Sequence, residues 1–195
     1  MMNIKKHCLS ACDEKGFRVK RLDSPFYNER PDQGHISLLV VHNISLPSQS
    51  FVSEHIENLF MGSLDCSLHP SFHDLEGVKV SAHVFIKRCG EVIQFVPFDK
   101  RAWHAGVSSW LGRENCNDYS IGIEMQGSDN IPYTHAQYHS LMCVTQLLID
   151  KYQLSMDNIV GHEDIAPGRK TDPGCAFDWL YFKSGLRAYD HNEVS

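Results

Sequence analysis

The chain has 195 residues, of which 42% are hydrophobic and 22% are charged, and this composition is typical of one globular domain with a substantial core. Its formal net charge of −6 argues against general affinity for nucleic acid or anionic membranes and favours a small molecule as the partner. No apolar run approaches the roughly 20 residues of a membrane helix, and residues 1–8 lack the pattern of a signal peptide, so we expect a cytoplasmic monomer.

The cysteines and histidines give two hints about possible sites. Seven cysteines are scattered without close pairing, which indicates free thiols in a reducing compartment. Cys8 and Cys12 are close enough in sequence to hold a metal together, although no second pair lies near them. Twelve histidines are a high count for this length and hint at a metal site elsewhere.

The two ends of the chain carry little pattern. Residues 1–20 are polar and lysine-rich, so we expect a loosely ordered arm there. The domain itself is predicted over residues 21–188, and residues 189–195 are predicted to be a C-terminal tail.

The first strong element is a strand. Residues 37–42 form a short apolar run, typical of a strand buried on both faces, which would carry His42 at its end. The long segment over residues 46–79 is expected to be mostly irregular, and a segment of this length often carries function. Ser53 is a candidate cap for one short helix over residues 54–60.

The middle of the chain predicts a hairpin and a further strand. Residues 82–87 and 91–96 flank a turn in which Gly90 takes the position that needs positive φ. In the strand predicted over residues 120–125, alternation places Glu124 on a face where the bare Gly122 is expected to leave space for it. The other face of this strand is apolar and carries Ile121, Ile123 and Met125.

The last third predicts two helices around a loop. Residues 134–152 form the first helix, with Thr134 and Gln137 as a capping box. Residues 158–162 resemble a short strand that ends at His162, residues 166–174 form a loop, and a final helix covers about residues 177–188. Mixed strands and helices in this order predict an α/β fold, a single domain with a central mixed β-sheet flanked by α-helices.

Three residues at predicted strand ends and turns are candidates for a metal site. A catalytic zinc takes three protein ligands and leaves a fourth position open, and His42, His162 and Asp172 could supply them. Each also has an ordinary interpretation, as a hydrogen-bonded rim histidine or as a turn aspartate before Pro-Gly. Two further pairs have the one-turn spacing of helical zinc sites, His69 with His73 and His135 with His139, and we expect both to be solvated surface.

Four sequence blocks occur together in a familiar order. They are residues 41–47 (VHNISLP), 102–106 (AWHAG), 120–124 (SIGIE), and 161–162 with 170–174 (GH and KTDPG). Together they resemble the AmpD family, which comprises bacterial cytoplasmic 1,6-anhydro-N-acetylmuramoyl-L-alanine amidases of peptidoglycan recycling. The resemblance covers about residues 22–182 and implies the fold shared by phage amidases and peptidoglycan recognition proteins.

The resemblance also implies roles for individual residues. His42, His162 and Asp172 would bind Zn²⁺, while Glu124 would exchange a proton with the attacking water and Lys170 would stabilise the oxyanion. The substrate would be an anhydromuropeptide, cut between the lactyl group of N-acetylmuramic acid and L-alanine. Residues expected near this substrate are Asn43, Lys79, Trp103 and Asn115, with His104 beside the same cleft.

Two of these positions depart from the family pattern. Lys79 and Asn115 stand where the family commonly has arginines that contact carboxylates of the stem peptide. Lysine keeps the charge but loses the bidentate fork, and asparagine loses the charge as well, so the preference for the peptide is open.

Other functions on the same fold stay open at this point. A non-catalytic module that binds peptidoglycan fragments would lack a metal ligand, whereas all three candidates are present here. An envelope amidase acting on intact cell wall would require export, and a peptidase on the same zinc site would cut a different bond.

Overall fold

A computed structural model describes residues 2–11, 18–32 and 35–192, and its centre is a six-stranded mixed sheet. The strands are β1 Met2–Lys5, β2 Cys8–Ala11, β3 Val19–Arg21, β4 Tyr27–Glu29, β5 Leu38–Ile44, β6 Val84–Ile86, β7 Val92–Gln94, β8 Lys100–Ala102, β9 Ser109–Trp110, β10 Arg113–Glu114, β11 Ser120–Gln126 and β12 Ile159–Gly161. The helices are α1 His55–Met61, α2 His135–Tyr152, α3 His162–Ile165 and α4 Trp179–Asn192. The predicted α/β fold with a central mixed sheet is confirmed.

The order of the strands in the sheet is β12-β5-β11-β6-β7-β3. The first four strands run parallel, whereas β7 is antiparallel to β6 and parallel to β3. The hairpin predicted around Gly90 is therefore the β6–β7 pair, and Gly90 has a φ of 86° as its turn requires.

The two faces of the sheet are covered differently. Ile121, Ile123 and Met125 point to the face on which α2 and α4 pack, as the alternation of this strand predicts. Leu38 and Val40 point to the opposite face, where Ala105, Cys116 and Tyr119 cover them. Gly122, Glu124 and His42 alternate onto this second face, which therefore carries the candidate site.

The expectation of a loosely ordered arm over residues 1–20 is wrong for its described part. β1 and β2 form an antiparallel hairpin whose Met2 and Leu9 are buried in the main core, and β3 joins the central sheet. The turn uses Lys6 and His7 at φ values of 45° and 61°. Positive φ at these residue types has no sequence signal, unlike glycine or asparagine, so the hairpin could not be recognised locally.

The C-terminal helix also extends further than expected. α4 begins at Trp179, where the Asp178 side chain accepts a hydrogen bond from the backbone N–H of Tyr181 at 2.8 Å, as an N-cap residue does. The helix continues to Asn192, so residues 189–192 are helical rather than a tail, because no glycine or proline interrupts them. Residues 193–195 lie outside the described part of the chain.

The remaining predicted helices form close to their expected positions. α2 begins after Thr134. The Thr134 hydroxyl oxygen accepts a hydrogen bond from the backbone N–H of Gln137, and the Gln137 side chain accepts one from the backbone N–H of Thr134, so the capping box is confirmed. α1 begins one residue later than predicted and its N-cap is Glu54, since the Ser53 hydroxyl instead donates to the carbonyl of Leu46. Within the described residues, no helix combines the length and the apolar character that crossing a bilayer requires.

A buried arginine joins the segment before β8 to the start of β11. The Arg30 side chain is 4% exposed and donates to the backbone carbonyls of Phe98, Asn117, Asp118 and Ser120, at distances from 2.8 to 3.3 Å. Burial lowers the pKa of Arg30 to about 10, so the guanidinium stays charged at neutral pH. One side chain thereby satisfies several buried acceptors that otherwise lose their partners.

Replacing Arg30 with methionine is expected to cost about 3 kcal/mol of stability, because the buried carbonyls are left without donors. Urea unfolding should show a lower midpoint with an unchanged slope. Arg18→Met, a matched change at an exposed arginine, should stay within about 0.5 kcal/mol of the parent. Equal midpoints for the two variants would show that the Arg30 bonds add nothing to the fold.

Candidate active site

The site lies at the carboxyl ends of parallel strands β5, β11 and β12. In the pairing of β5 with β11, His42 stands directly opposite Glu124. β12 pairs with the other side of β5 and ends at Gly161, so His162 follows it as the first residue of α3. The backbone N–H of Glu163 donates to the carbonyl of Asp172 at 3.0 Å, which brings the following loop back to the same edge.

Three side-chain atoms converge at this edge. His42 Nδ1 is 2.9 Å from His162 Nδ1 and 3.2 Å from Asp172 Oδ2, and His162 Nδ1 is 3.0 Å from the same carboxylate oxygen. In the part of the chain that the structure describes, these three residues form the one cluster of histidine, cysteine or acidic side chains arranged to hold a metal ion.

The triangle fits a zinc ion in size and chemistry. Ligands about 2.0–2.1 Å from a tetrahedral zinc lie about 3.3 Å apart, close to the spacing of these atoms. The second nitrogen of each histidine is held from behind, with His42 Nε2 2.9 Å from His104 Nδ1 and His162 Nε2 3.0 Å from the carbonyl of Ala105. Such outer contacts fix the orientation of metal-binding imidazoles.

The charges of these groups also suit a cation. Burial lowers the pKa of His42 to about 4, so its ring is neutral and offers a lone pair at neutral pH. Burial alone would raise the pKa of Asp172, but hydrogen bonds from His162 and His42 hold it well below its ordinary value. A neutral His42 ring and an ionised Asp172 carboxylate are the forms in which these side chains bind a metal cation.

Glu124 lies next to this cluster with an uncommitted carboxylate. Its Oε2 is buried and has no hydrogen-bond partner in the protein. Burial raises the pKa of Glu124 well above its ordinary value, Asp172 raises it further, and the positive charge of Lys170 opposes both effects. A carboxyl group with a raised pKa can accept and return a proton near neutral pH.

A cleft of about 230 Å³ opens onto Glu124, His162 and Asp172. Lys170 lines it and is the positive group facing the two carboxylates. Apolar side chains complete part of the wall, namely Ile44, Phe60 and Val80. Trp103 also lines the cleft, where its ring stacks on Phe26 and its Nε1 donates to Asn28 at 3.0 Å.

The loop that carries Lys170 and Asp172 is attached to β5 by a carboxylate. Asp129 accepts from the Asn43 amide at 2.8 Å and from the Thr171 hydroxyl at 2.6 Å. The Asn43 amide also donates to the carbonyl of Pro173 at 3.1 Å. Asn43 lines the cleft, and its amide hydrogens are used to hold this loop.

Comparison with known proteins identifies the family. The family model described as N-acetylmuramoyl-L-alanine amidase matches residues 32–175. The 1,6-anhydro-N-acetylmuramyl-L-alanine amidase AmpD of Salmonella typhimurium strain SL1344 is 52% identical over 184 residues, which cover 93% of this chain and 98% of that protein. The chain is an AmpD-type N-acetylmuramoyl-L-alanine amidase. Its assignment as an enzyme and the resemblance seen in the four sequence blocks are confirmed.

Solved structures of amidases agree with this assignment. The crystal structure of a selenomethionine AmpD derivative has a TM-score of 0.89 and 50% identity, covering 95% of this chain and 99% of the other. AmpDh3 of Pseudomonas aeruginosa, solved in complex with anhydromuramic pentapeptide, has a TM-score of 0.61 and 25% identity, covering 90% of this chain and 66% of the other. The amidase fold is thus shared with these relatives.

Two residues expected near the substrate of this amidase lie outside the cleft. Lys79 is exposed and borders a separate depression of about 490 Å³, together with Phe26 and Glu76. Asn115 borders another depression of about 380 Å³, which also contains Arg169. Neither lines the cleft above Glu124, so their contact with substrate stays a prediction.

The interpretation of Gly122 changes with the structure. A Cβ atom at this position would lie 2.4 Å from the ring of His104, so the glycine makes room for that ring rather than for Glu124. His104 then contacts His42, while the buried His83 packs against its other side with ring centroids 5.7 Å apart. His83 and Arg30 have no signal in the sequence, because their hydrogen-bond partners lie 17 to 90 residues away.

Among the residues that the structure describes, neither competing histidine pair belongs to a group of three or more side chains that could hold a metal ion. His69 Nδ1 accepts from the Ser71 backbone and caps a short 3₁₀ helix over Pro70–Leu75. His135 packs on Tyr181 at the start of α2. Cys8 Sγ accepts from Arg21 at 3.0 Å, and Cys12, its possible metal partner, lies outside the described residues.

Proposed function

We propose that this amidase uses Zn²⁺ to hydrolyse the amide bond between the lactyl group of 1,6-anhydro-N-acetylmuramic acid and L-alanine of the stem peptide. The observation that carries the proposal is the triangle of His42, His162 and Asp172 donor atoms beside the buried, unpartnered Oε2 of Glu124. The names of the AmpD relatives support this substrate and bond. Peptidoglycan recycling in a bacterial cytoplasm, by a monomer, is the setting we propose.

In this mechanism His42, His162 and Asp172 would hold the ion, which would polarise the substrate carbonyl as a Lewis acid and acidify water. Glu124 accepts the proton of the attacking water as oxygen adds to the carbonyl carbon. When the C–N bond breaks, Glu124 returns this proton to the alanine nitrogen, so the products are a lactyl carboxylic acid and a free amine. Burial raises the pKa of Glu124, which makes its carboxylate a stronger base for the first half of this exchange.

Lys170 has the electrostatic role. Oxygen addition converts the neutral carbonyl oxygen into an oxyanion, and a fixed positive charge at the cleft wall stabilises that charge as it develops. Lys170 lines the cleft with Glu124 and Asp172, and it is held two residues before the metal-ligand candidate Asp172. Attachment of this loop to Asp129 keeps the ammonium in reach of the reacting bond.

Substrate contacts are proposed for Asn43, Lys79, Trp103 and Asn115. Trp103 offers an apolar ring at the cleft wall, on which a sugar or the alanine side chain can pack. Lys79 and Asn115 border two depressions outside the cleft, so each can contact a stem peptide only if the peptide extends beyond the cleft. Because neither is an arginine, we expect weaker recognition of peptide carboxylates than a bidentate guanidinium provides.

The test is product analysis with an anhydromuropeptide and the purified protein, either zinc-loaded or chelated. The proposal expects mass spectrometry to detect anhydro-N-acetylmuramic acid and a peptide with a new alanine amine, only in the metal-loaded sample. Binding without cleavage would identify a non-catalytic fragment-binding module instead. A cut within the peptide would identify a peptidase, and release of peptides from whole sacculi at a comparable rate would favour an envelope enzyme.

A further inference from the structure

His104 bridges a metal-ligand candidate and a buried serine. Its Nδ1 lies 2.9 Å from His42 Nε2, and its Nε2 lies 3.1 Å from Ser120 Oγ. The His42 and His104 rings meet edge to face, with centroids 5.0 Å apart at 82°. The second nitrogen of a metal-binding histidine usually donates to a carboxylate, a carbonyl or water, so another imidazole in that place is unusual.

The positions of the hydrogen atoms in this series of hydrogen bonds follow from the groups at its two ends, His42 and Ser120. If His42 Nδ1 gives its lone pair to a metal, the neutral His42 ring carries its hydrogen on Nε2 and donates it to His104 Nδ1. His104 Nδ1 must then be an acceptor, so the single hydrogen of the neutral His104 ring lies on Nε2. That hydrogen points to Ser120 Oγ, which completes a chain of two directed bonds.

The surrounding residues fix the ring in this place. Gly122 leaves the space that the ring fills, and the backbone N–H groups of His104 and Ala105 both donate to Asn117 Oδ1, at 3.1 and 2.8 Å. The carbonyl of Ala105 in turn lies 3.0 Å from His162 Nε2. Asn117 thus holds two consecutive residues, His104 and Ala105. The His104 ring contacts His42, and the Ala105 carbonyl contacts His162, each at the ring nitrogen that faces away from the metal position.

We propose that His104 is a positioning residue for the metal site, which holds the His42 ring in the tautomer that presents Nδ1 to the ion. The proposal rests on the proposed zinc dependence of the amidase. His104 acts through the orientation and basicity of His42, and the Ser120 hydroxyl acts through the tautomer of His104.

A matched pair of variants separates the hydrogen bond from the packing. His104→Asn places Oδ1 one bond beyond Cγ, where histidine has Nδ1, and so keeps an acceptor for His42. His104→Leu has a carbon at that place and keeps similar bulk. We expect leucine to weaken zinc binding by about 10- to 100-fold, and asparagine to stay within about threefold of the parent. Competition with a chelating dye measures these dissociation constants.

Two measurements make the result independent of folding. Thermal unfolding of the metal-free variants shows whether each is folded, and Ser120→Ala, a small change that keeps the ring, is expected to weaken zinc binding by about fivefold. Nitrogen-15 spectra of the zinc-loaded parent report the tautomer, and we expect the hydrogen of His104 on Nε2.

Equal zinc affinities for the leucine and asparagine variants, or a His104 hydrogen on Nδ1, would overturn the positioning role. Failure of the leucine variant to fold leaves the decision to Ser120→Ala and the spectra, and parental affinity in Ser120→Ala would count against the proposal. If the parent itself binds no zinc, the proposed function fails first, which distinguishes the two failures.

Discussion

Glu124→Gln is expected to lower kcat by a factor of about 10² to 10⁴, because glutamine keeps the shape of the side chain but cannot carry the proton. The Oε2 atom has no partner within the protein, so the substitution removes no internal hydrogen bond at that atom. Steady-state hydrolysis of a purified anhydromuropeptide, followed by chromatography of the released peptide, measures the effect.

The control for this variant is its metal content and stability. Zinc affinity should stay within a few fold of the parent, and the unfolding midpoint should not fall, since a buried carboxyl group with a raised pKa is replaced by a neutral amide. Full turnover by the glutamine variant would remove Glu124 from the mechanism. Loss of zinc together with turnover would instead make Glu124 a part of the metal site.

Asp172→Asn is expected to weaken zinc binding by about three orders of magnitude, or about 4 kcal/mol, which is roughly one ligand's share of the about 10–16 kcal/mol that structural zinc sites gain from all their ligands together. The asparagine amide is a poor ligand for zinc. The substitution also removes the carboxylate charge, which the two histidines do not supply. Dye competition gives the affinity directly, and hydrolysis should fall in proportion to the lost metal.

Thermal unfolding provides a second measurement for this variant. Zinc at about 100 times its dissociation constant stabilises the folded parent by about 2.7 kcal/mol, so its Tm should rise with added zinc. The Tm of Asp172→Asn should respond little over the same range. Asp74→Asn makes the same chemical change at an exposed position outside the cluster and should behave like the parent. A parental zinc response in Asp172→Asn would exclude this carboxylate as a ligand.

Elements with local signals could be predicted from the sequence. The capping box of α2, the glycine turn of the β6–β7 hairpin and the alternation of β11 are each contained within a few residues, and all three form as expected. The β1–β2 hairpin was missed because its turn uses Lys6 and His7, whose positive φ depends on tertiary packing.

The site required longer-range information. The strand ends suggested His42 and His162, but only the parallel register of β5 with β11 and β12 brings them beside Glu124. Sequence spacing gave Gly122 a role in clearing space for Glu124, whereas the ring that needs the space belongs to His104, eighteen residues earlier. Contacts of Lys79 and Asn115 with substrate depend on a bound peptide and stay predictions.

The distance along the chain between the candidate ligands affects how metal binding relates to folding. His42 is 120 residues from His162 and 130 residues from Asp172, whereas His162 and Asp172 are 10 residues apart. A zinc finger gathers its ligands within one short segment, so its metal can organise the local chain. Here the sheet must assemble first, and the cost of closing the long loops is met by strand pairing rather than by the ion. Metal uptake should therefore report completion of the whole domain, and partially folded chains should remain metal-free.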